Sequence, residues 1–231
     1  MSIEENVKAV KARIKAAALA AGRRPEDVLL VAATKMNDAD KVRRAIAAGV
    51  DICGENRVQE LMEKNAQGAY EGAPLHFIGH LQKNKVRQVV GVAELIHGAD
   101  SLELIKVIDR AAEAKGLIQD ILLEVNIGAE ASKSGFAPEE IPTALEECTQ
   151  FAHIRVRGLM AIPPVCMNGE ENRPYFAQME KLFIDNGQKK YDNVHMDFLS
   201  MGMSGDYEEA IAFSANMVRV GTAIFGARVY N

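Results

Sequence analysis

Two kinds of pattern alternate along this chain of 231 residues. Short apolar runs, typical of strands that are buried on both faces, recur at eight places. Between them lie longer segments whose apolar residues follow a helical spacing. From the apolar runs we predict eight strands, at residues 28–34, 50–56, 74–80, 94–99, 120–128, 154–162, 194–203 and 217–226.

The helical segments complete a regular β-α order. One precedes the first strand, where Ser2 and Glu5 match a capping box. Strict alternation predicts parallel strands, and eight such units that close on themselves form a (β/α)₈ barrel. An open doubly wound sheet is the alternative, but no Gly-x-Gly-x-x-Gly follows the first strand. We therefore predict a single α/β domain over residues 1–231, a TIM barrel with an extra N-terminal helix. Seven helices are expected between the strands, at 38–49, 56–65, 81–91, 101–116, 137–151, 173–187 and 205–216.

Composition narrows the class of protein. The formal net charge of −5 gives no general attraction to nucleic acid or to anionic membranes. Cys53, Cys148 and Cys166 lie far apart, which favours reduced thiols over a disulfide framework or a zinc site. The N-terminus is charged throughout, unlike a signal peptide, and no stretch reaches the length of a membrane span. We expect a cytoplasmic protein, and a barrel of this size allows a monomer.

Lys35 stands at the end of the first apolar run, VLLVAATK. A buried ammonium loses its hydration, so lysine is rare at such a place. One interpretation is that its stem runs along the strand end and carries the charge to solvent. The other is a functional amine, because burial lowers the pKa of lysine and leaves it neutral enough to attack a carbonyl.

The loops after the seventh and eighth strands favour the functional interpretation. They read SMGMSGD (200–206) and RVGT (219–222), with small residues and hydroxyls just before helices or turns. In barrels of this kind, these loops are the usual phosphate site. Glycine lets a backbone approach an anion, and helix amides point at it. A ligand that carries both an aldehyde and a phosphate would suit Lys35 and these loops, and pyridoxal 5'-phosphate is such a ligand.

Arg219 lies two residues before Gly221, so both project from the same face of the eighth strand. An arginine inside a barrel needs an acceptor. A salt bridge to Glu124 or Asp197 would supply one. The alternative is contact with the nitrogen of a pyridine ring. A guanidinium there would disfavour protonation of the ring, so the ring would be a poor electron sink while imine formation would be unaffected.

Weaker candidates lie elsewhere. His76 and His80 share a strand face in the predicted pattern, but two histidines do not make a metal site, and core or capping roles are expected. Lys133 is a loop lysine, either simply solvated or an accessory amine near the cofactor. No metal ligand set and no catalytic residue is assigned.

The motifs ATK, CGENRVQE, HFIGHLQKNK, NIGAEASKSGF, GLMAIPP, FLSMGMSGD and VRVGTAIFGAR occur in order between residues 33 and 228. Together they resemble the pyridoxal phosphate homeostasis proteins, which have the barrel of the alanine racemase N-terminal domain, fold type III of pyridoxal phosphate proteins. Ser214 and Asn216 depart from the pattern, standing where glycine and threonine are frequent. The resemblance implies a cofactor on Lys35, with Arg219 at the pyridine nitrogen and Asn56 near the ring. It also implies a phosphate held by Ser204, Gly205, Gly221 and Thr222.

Three functions compete. The resemblance implies a carrier that buffers pyridoxal phosphate in the cell and delivers it to apoenzymes, without established catalysis. A racemase or decarboxylase using the same imine is the alternative. Barrel racemases take a second base from an added β domain, and the printed sequence ends at Asn231, so we expect a non-catalytic protein. An aldolase-like barrel that uses Lys35 on a sugar phosphate gives no reason for Arg219.

Overall fold

The computed structural model describes residues 1–130, 134–165 and 168–226. The strands are β1 (Leu29–Ala33), β2 (Ile52–Glu55), β3 (Leu75–Phe77), β4 (Leu95–Ala99), β5 (Gln119–Val125), β6 (Ile154–Ala161), β7 (Val194–Ser200) and β8 (Met217–Val220). The α-helices are α1 (Ile3–Ala20), α2 (Ala39–Ala47), α3 (Val58–Ala66), α4 (Val86–Val89), α5 (Leu102–Glu113), α6 (Ile141–Cys148), α7 (Arg173–Gly187), α8 (Tyr207–Ala212) and α9 (Thr222–Phe225).

The eight strands form a closed parallel barrel in chain order. Closure depends on β1, which pairs with β2 on one side and β8 on the other, so that Val31 lies opposite both Ile52 and Arg219. The predicted (β/α)₈ barrel is confirmed. The last predicted strand is too long, because the chain turns into α9 directly after β8. There the carbonyl of Gly221 accepts hydrogen bonds from the N–H groups of Ile224 and Phe225, both at 2.9 Å.

Apolar side chains pack in two separate layers. Outward-facing strand residues such as Leu30, Phe77 and Ile121 join the helices in one large core. Alternate strand residues point into the barrel, as the two-residue period of a strand requires. This inner cluster consists of Val31, Ile52, Ile78, Leu95, Leu122, Met160 and Met217. Because the barrel interior is packed, ligands have access only at its ends.

Helix α1, at the start of the chain, packs against α9, the last described helix. The capping box is confirmed, with Ser2 N–H donating to the Glu5 carboxylate at 2.7 Å and Glu5 N–H donating to Ser2 Oγ at 3.2 Å. Farther along, Asn6 Nδ2 donates to the carbonyl of Ile224 at 2.8 Å. The buried face of the helix carries Ile3, Val7, Val10, Ile14 and Ala18. In the described ranges, no helix is long and apolar enough to cross a membrane.

Candidate ligand site at the carboxyl ends of the strands

The predicted site residues lie near the carboxyl ends of β1, β2, β7 and β8. Lys35 follows β1 by two residues, and Asn56 directly follows β2. Ser204 and Gly205 lie in the loop between β7 and α8, and Gly221 joins β8 to α9. Thr222 is the exposed first residue of α9, whereas Arg219 lies within β8 and is buried. Parallel strands place all these ends at one mouth of the barrel.

The loops after β7 and β8 contact each other through Ser204. Its Oγ accepts hydrogen bonds from the N–H groups of Gly221 and Ala223, at 3.2 and 3.5 Å. Gly221 in turn lies against the end of β1, since a Cβ added to it would come 3.4 Å from the Cβ of Ala33. The structure thus brings Ser204 and Gly221 beside the strand that carries Lys35.

This pair of loops has the features of an anion cradle. A Cβ added to Gly205 would meet no atom within 4 Å, so there is open space above the backbone. Among the described residues, the N–H groups of Gly205 and Thr222 donate to no acceptor. The Ser204 hydroxyl accepts from the two amides and retains its own proton to donate. These donors and this space fit a phosphate group.

Asp206 fixes the shape of the first loop. Its carboxylate accepts hydrogen bonds from Met203 N–H at 2.6 Å and from Asn172 Nδ2 at 2.8 Å. Gly202 permits the turn before it, with φ of +89° and a hypothetical Cβ only 2.9 Å from the Cα of Tyr207. The cradle is therefore formed by contacts within the protein itself.

Arg219 is held inside the barrel by neutral acceptors. Its Nη1 donates to Ser200 Oγ at 2.6 Å and its Nη2 donates to the carbonyl of Ala161 at 2.9 Å. The salt bridge to Asp197 considered from the sequence is wrong, because that carboxylate pairs with Arg157 at 2.6 Å. Burial lowers the pKa of Arg219 to about 10, and the carboxylate of Glu124 opposes that shift. At neutral pH the side chain remains a cation.

A hydrogen-bonded chain continues from Arg219 through the barrel. Ser200 Oγ lies 3.1 Å from His97 Nδ1, and His97 Nε2 lies 3.0 Å from His76 Nδ1. Arg219 donates to Ser200, and the tautomer of His97 sets the direction of the two contacts that the histidine makes with Ser200 and His76. Sequence reasoning missed His97 and Ser200, although both occupy polar positions on inward strand faces.

Lys35 lies in a tight turn and is half-buried, not fully buried as the apolar run indicates. The reason is that β1 ends at Ala33 and the chain leaves the sheet. Buried Thr34 donates from Oγ1 to the Glu55 carboxylate at 2.9 Å, and Met36 has a φ of +61°. Sequence reasoning also missed Glu55, a charged residue within an apolar strand, which was the same signal that singled out Lys35.

Asn56 lines a cavity of about 240 Å³ at the mouth, together with Ile78, Glu124 and Met160. Its side-chain Oδ1 is buried and has no hydrogen-bond partner among the described residues. A buried acceptor without a partner costs free energy, so this atom is a natural contact for a bound ligand. The orphaned acceptor and the anion cradle both fit a phosphorylated, hydrogen-bonding ligand such as pyridoxal phosphate.

The two histidines do not act together. His76 is buried against His97, whereas His80 lies beyond the end of β3, is exposed, and contacts the Asp100 carboxylate at 3.1 Å. The shared strand face predicted for them is therefore wrong. Within the described ranges, no group of histidine, cysteine and acidic side chains could hold a metal ion. Lys133 lies outside the described residues.

Comparison with known proteins decides the family. The profile of the alanine racemase N-terminal domain matches residues 2–229. This chain belongs to that family. Within the family, it is 42% identical to the pyridoxal phosphate homeostasis protein of Pseudomonas aeruginosa over 229 residues, covering 99% of this chain and 97% of the relative. It is 39% identical to the protein of the same name from Aquifex aeolicus, over the full length of both. The resemblance inferred from the motifs is confirmed.

Solved structures of similar proteins share the barrel. PipY of Synechococcus elongatus, solved with pyridoxal phosphate bound, has a TM-score of 0.83 and 31% identity, covering 97% of this chain and 100% of PipY. A Bifidobacterium adolescentis protein of unknown function has a TM-score of 0.88 and 37% identity, covering 96% of this chain and 94% of that one. Alanine racemase of Clostridium difficile, at 18% identity, a TM-score of 0.69 and coverage of 98% of this chain and 58% of its own, shares the fold alone.

Proposed function

We propose that this protein binds pyridoxal 5'-phosphate as an imine of Lys35 and serves as a carrier and buffer of the cofactor. The observation that carries the proposal is the anion cradle beside β1. Ser204 and Gly221 hydrogen-bond to each other, and Gly221 packs against Ala33, two residues before Lys35. An amine and a phosphate site at one mouth suit a ligand that has an aldehyde and a phosphate.

The other residues have complementary roles in this proposal. Gly205 and Thr222 supply the remaining donors and space for the phosphate. Asn56 contributes the buried acceptor beside the ring. Arg219 faces the pyridine nitrogen as a cation that is already fixed by Ser200 and Ala161. When bound, the cofactor supplies an aldehyde that reacts with an amine and a ring that withdraws electrons weakly while its nitrogen is unprotonated.

A carrier is favoured over a catalyst by Arg219. A guanidinium donates hydrogen bonds and carries a positive charge, so it favours the unprotonated pyridine nitrogen, and an unprotonated ring withdraws electrons weakly. A racemase-like activity on amino acids is the alternative. The names of the curated relatives, which this chain matches over their full length, support the homeostasis role.

The partners and the compartment are proposed from the carrier role and from the composition of the chain. A carrier must meet apoenzymes that use pyridoxal phosphate, so these are the proposed protein partners. The net charge of −5 supports no role with nucleic acid. Cys53 and Cys148 are buried free thiols, as expected for a reducing compartment such as the cytoplasm. We propose a single-domain protein that functions as a monomer.

The proposal is tested with Lys35→Ala and the wild type, each incubated with pyridoxal phosphate. The wild type should show the visible absorbance of an imine, and the variant should lack it while keeping the fold by circular dichroism. Purified holoprotein should also release the cofactor to an added apoenzyme. If the wild type instead racemises alanine at roughly 1 s⁻¹ or faster, a rate typical of enzymes, the racemase alternative replaces the carrier.

A further inference from the structure

A second lysine, Lys64, is more deeply buried than Lys35. Lys64 is 6% exposed and lies on the buried face of α3. The ammonium donates to three oxygen atoms: the carboxylate of Glu55 at 2.7 Å, the carbonyl of Thr34 at 2.9 Å and the carboxylate of Glu60 at 3.1 Å. Three acceptors satisfy all three protons of the ammonium, which is what a buried lysine requires.

Lys64, Glu55 and Glu60 hold the backbone on both sides of Lys35. Before it, Thr34 is fixed by its carbonyl to Lys64 and by its hydroxyl to Glu55. After it, the N–H of Met36 donates to Glu60 Oε2 at 2.7 Å. The same Oε2 atom also accepts a hydrogen bond from the ammonium of Lys64, so the contacts before and after Lys35 are linked through Glu60. The turn is thereby tied to α3 at each peptide neighbouring Lys35.

The backbone of this turn needs such support. Met36 has a φ of +61°, a left-handed conformation that side chains with a Cβ adopt at a cost. Met36 is also exposed, so its side chain gains little from packing that would offset the cost. A lysine side chain has four flexible bonds, and the direction in which it leaves the backbone limits where its amine can reach. Fixing the turn before the ligand arrives lowers the entropy that binding must overcome.

We propose that Lys64, Glu55 and Glu60 form a positioning network that holds Lys35 for imine formation. The inference rests on the proposed attachment of pyridoxal phosphate to Lys35. It assigns a role to a buried ion cluster that would otherwise be hard to explain, because buried charges are weak sources of stability. None of the three residues touches the ligand in this account; they act through the backbone of residues 34–36.

Glu60→Ala is the sharpest variant, because Glu60 is partly exposed and its loss leaves Glu55 paired with Lys64. Glu63→Ala is the matched control, because Glu63 lies on the same helix and is exposed. Its one hydrogen-bond partner among the described residues is Gln59. Glu60→Gln is the rescue variant, because an amide oxygen can replace Glu60 Oε2 as acceptor for Met36 N–H. Buried Lys64 is left unchanged, because its removal would strand the charge of Glu55.

Two measurements separate positioning from simple stability. Amide hydrogen exchange in the absence of ligand should show faster exchange at Met36 in Glu60→Ala than in the wild type or Glu63→Ala. The rate and equilibrium of imine formation, followed by visible absorbance with pyridoxal phosphate, should fall by about tenfold in Glu60→Ala, the size expected for one lost charge-assisted hydrogen bond. Glu60→Gln should recover to within about threefold of the wild type, since a neutral acceptor is roughly half as strong.

The outcomes distinguish the two proposals. If the wild type forms no imine at Lys35, the proposed function fails and this inference fails with it. If the wild type forms the imine and Glu60→Ala behaves like Glu63→Ala in both measurements, only the positioning network is overturned. A reduced midpoint of thermal unfolding in Glu60→Ala with an unchanged imine rate would assign these residues to stability alone and would also overturn it.

Discussion

At the scale of single residues, the buried cation near the mouth of the barrel and the one inside it have different acceptors. Lys64 is surrounded by two carboxylates, whereas Arg219 is held by a hydroxyl and a backbone carbonyl. Neutral acceptors orient a guanidinium without cancelling its charge. Arg219 remains a cation, and the carboxylates of Glu124 and Asp206 favour its charged form. In the proposed function this charge faces the lone pair of an unprotonated pyridine nitrogen.

The role of Ser204 can be tested by comparing two ligands. Ser204→Ala removes a hydroxyl that accepts from Gly221 and can donate to a phosphate. Binding of pyridoxal phosphate should weaken by about tenfold or more, since hydrogen bonds to charged groups contribute roughly 1.5–3 kcal/mol, whereas pyridoxal should be little affected. Fluorescence or absorbance titration measures both. Ser214→Ala in the neighbouring loop, where Ser214 bonds to Glu180, is the control. Equal losses for both ligands would remove Ser204 from the cradle.

The buried histidines predict a dependence of stability on pH. Burial lowers the pKa of His76 from 6.5 to about 4, and burial lowers the pKa of His97 as well. Below pH 6.5 the unfolded chain binds protons that the folded protein does not. The free energy of unfolding should therefore fall as the pH drops from 6.5 toward 4, by about 1.4 kcal/mol per pH unit for His76.

Urea denaturation at several pH values checks this slope, and His76→Gln provides the comparison. The variant should lose stability less steeply in acid, because one of the two buried histidines with a lowered pKa is gone. An unchanged acid slope in His76→Gln would contradict the account of His76 as a neutral buried histidine.

At the scale of elements, the sequence predicts where the strands lie better than how neighbouring strands pair. The eight strands were predictable because each apolar run is local and ends at polar or glycine residues. Register shifts in β4–β5, β5–β6 and β6–β7 were not, because they depend on the neighbouring strand. At one of these, Gly158 has a φ of +142°, and a Cβ there would lie 1.9 Å from the carbonyl oxygen of Phe198.

Helix α1 provides a prediction at this scale. Ile14 is 5% exposed, and its side chain belongs to the core between the barrel and the helices. Ile14→Ala should lower the free energy of unfolding by about 2–5 kcal/mol, because it leaves a cavity. Leu19→Ala on the same helix is the matched control, since Leu19 is 58% exposed and its truncation should cost less than ~0.5 kcal/mol. Similar losses in the two variants would show that α1 does not pack as described.

At the scale of the whole molecule, the site joins residues that are far apart in the chain. Lys64 reaches Thr34 across 30 residues, and His97 reaches Ser200 across 103. Lys35, Ser204 and Gly221 could be singled out from the sequence because each follows a strand, and the barrel brings strand ends together. The partners that orient them could not, because a pattern along one strand does not say which side chain faces it from another.

The central claim is that Lys35 holds the cofactor, and chemical trapping tests it most directly. The protein is incubated with pyridoxal phosphate, reduced with borohydride to make the imine permanent, digested and mapped by mass spectrometry. The account predicts a single phosphopyridoxyl group on the peptide that contains Lys35, and none on that peptide in Lys35→Ala. A label on another lysine, such as Lys64 or Lys133, with Lys35 unmodified in the wild type, would contradict it.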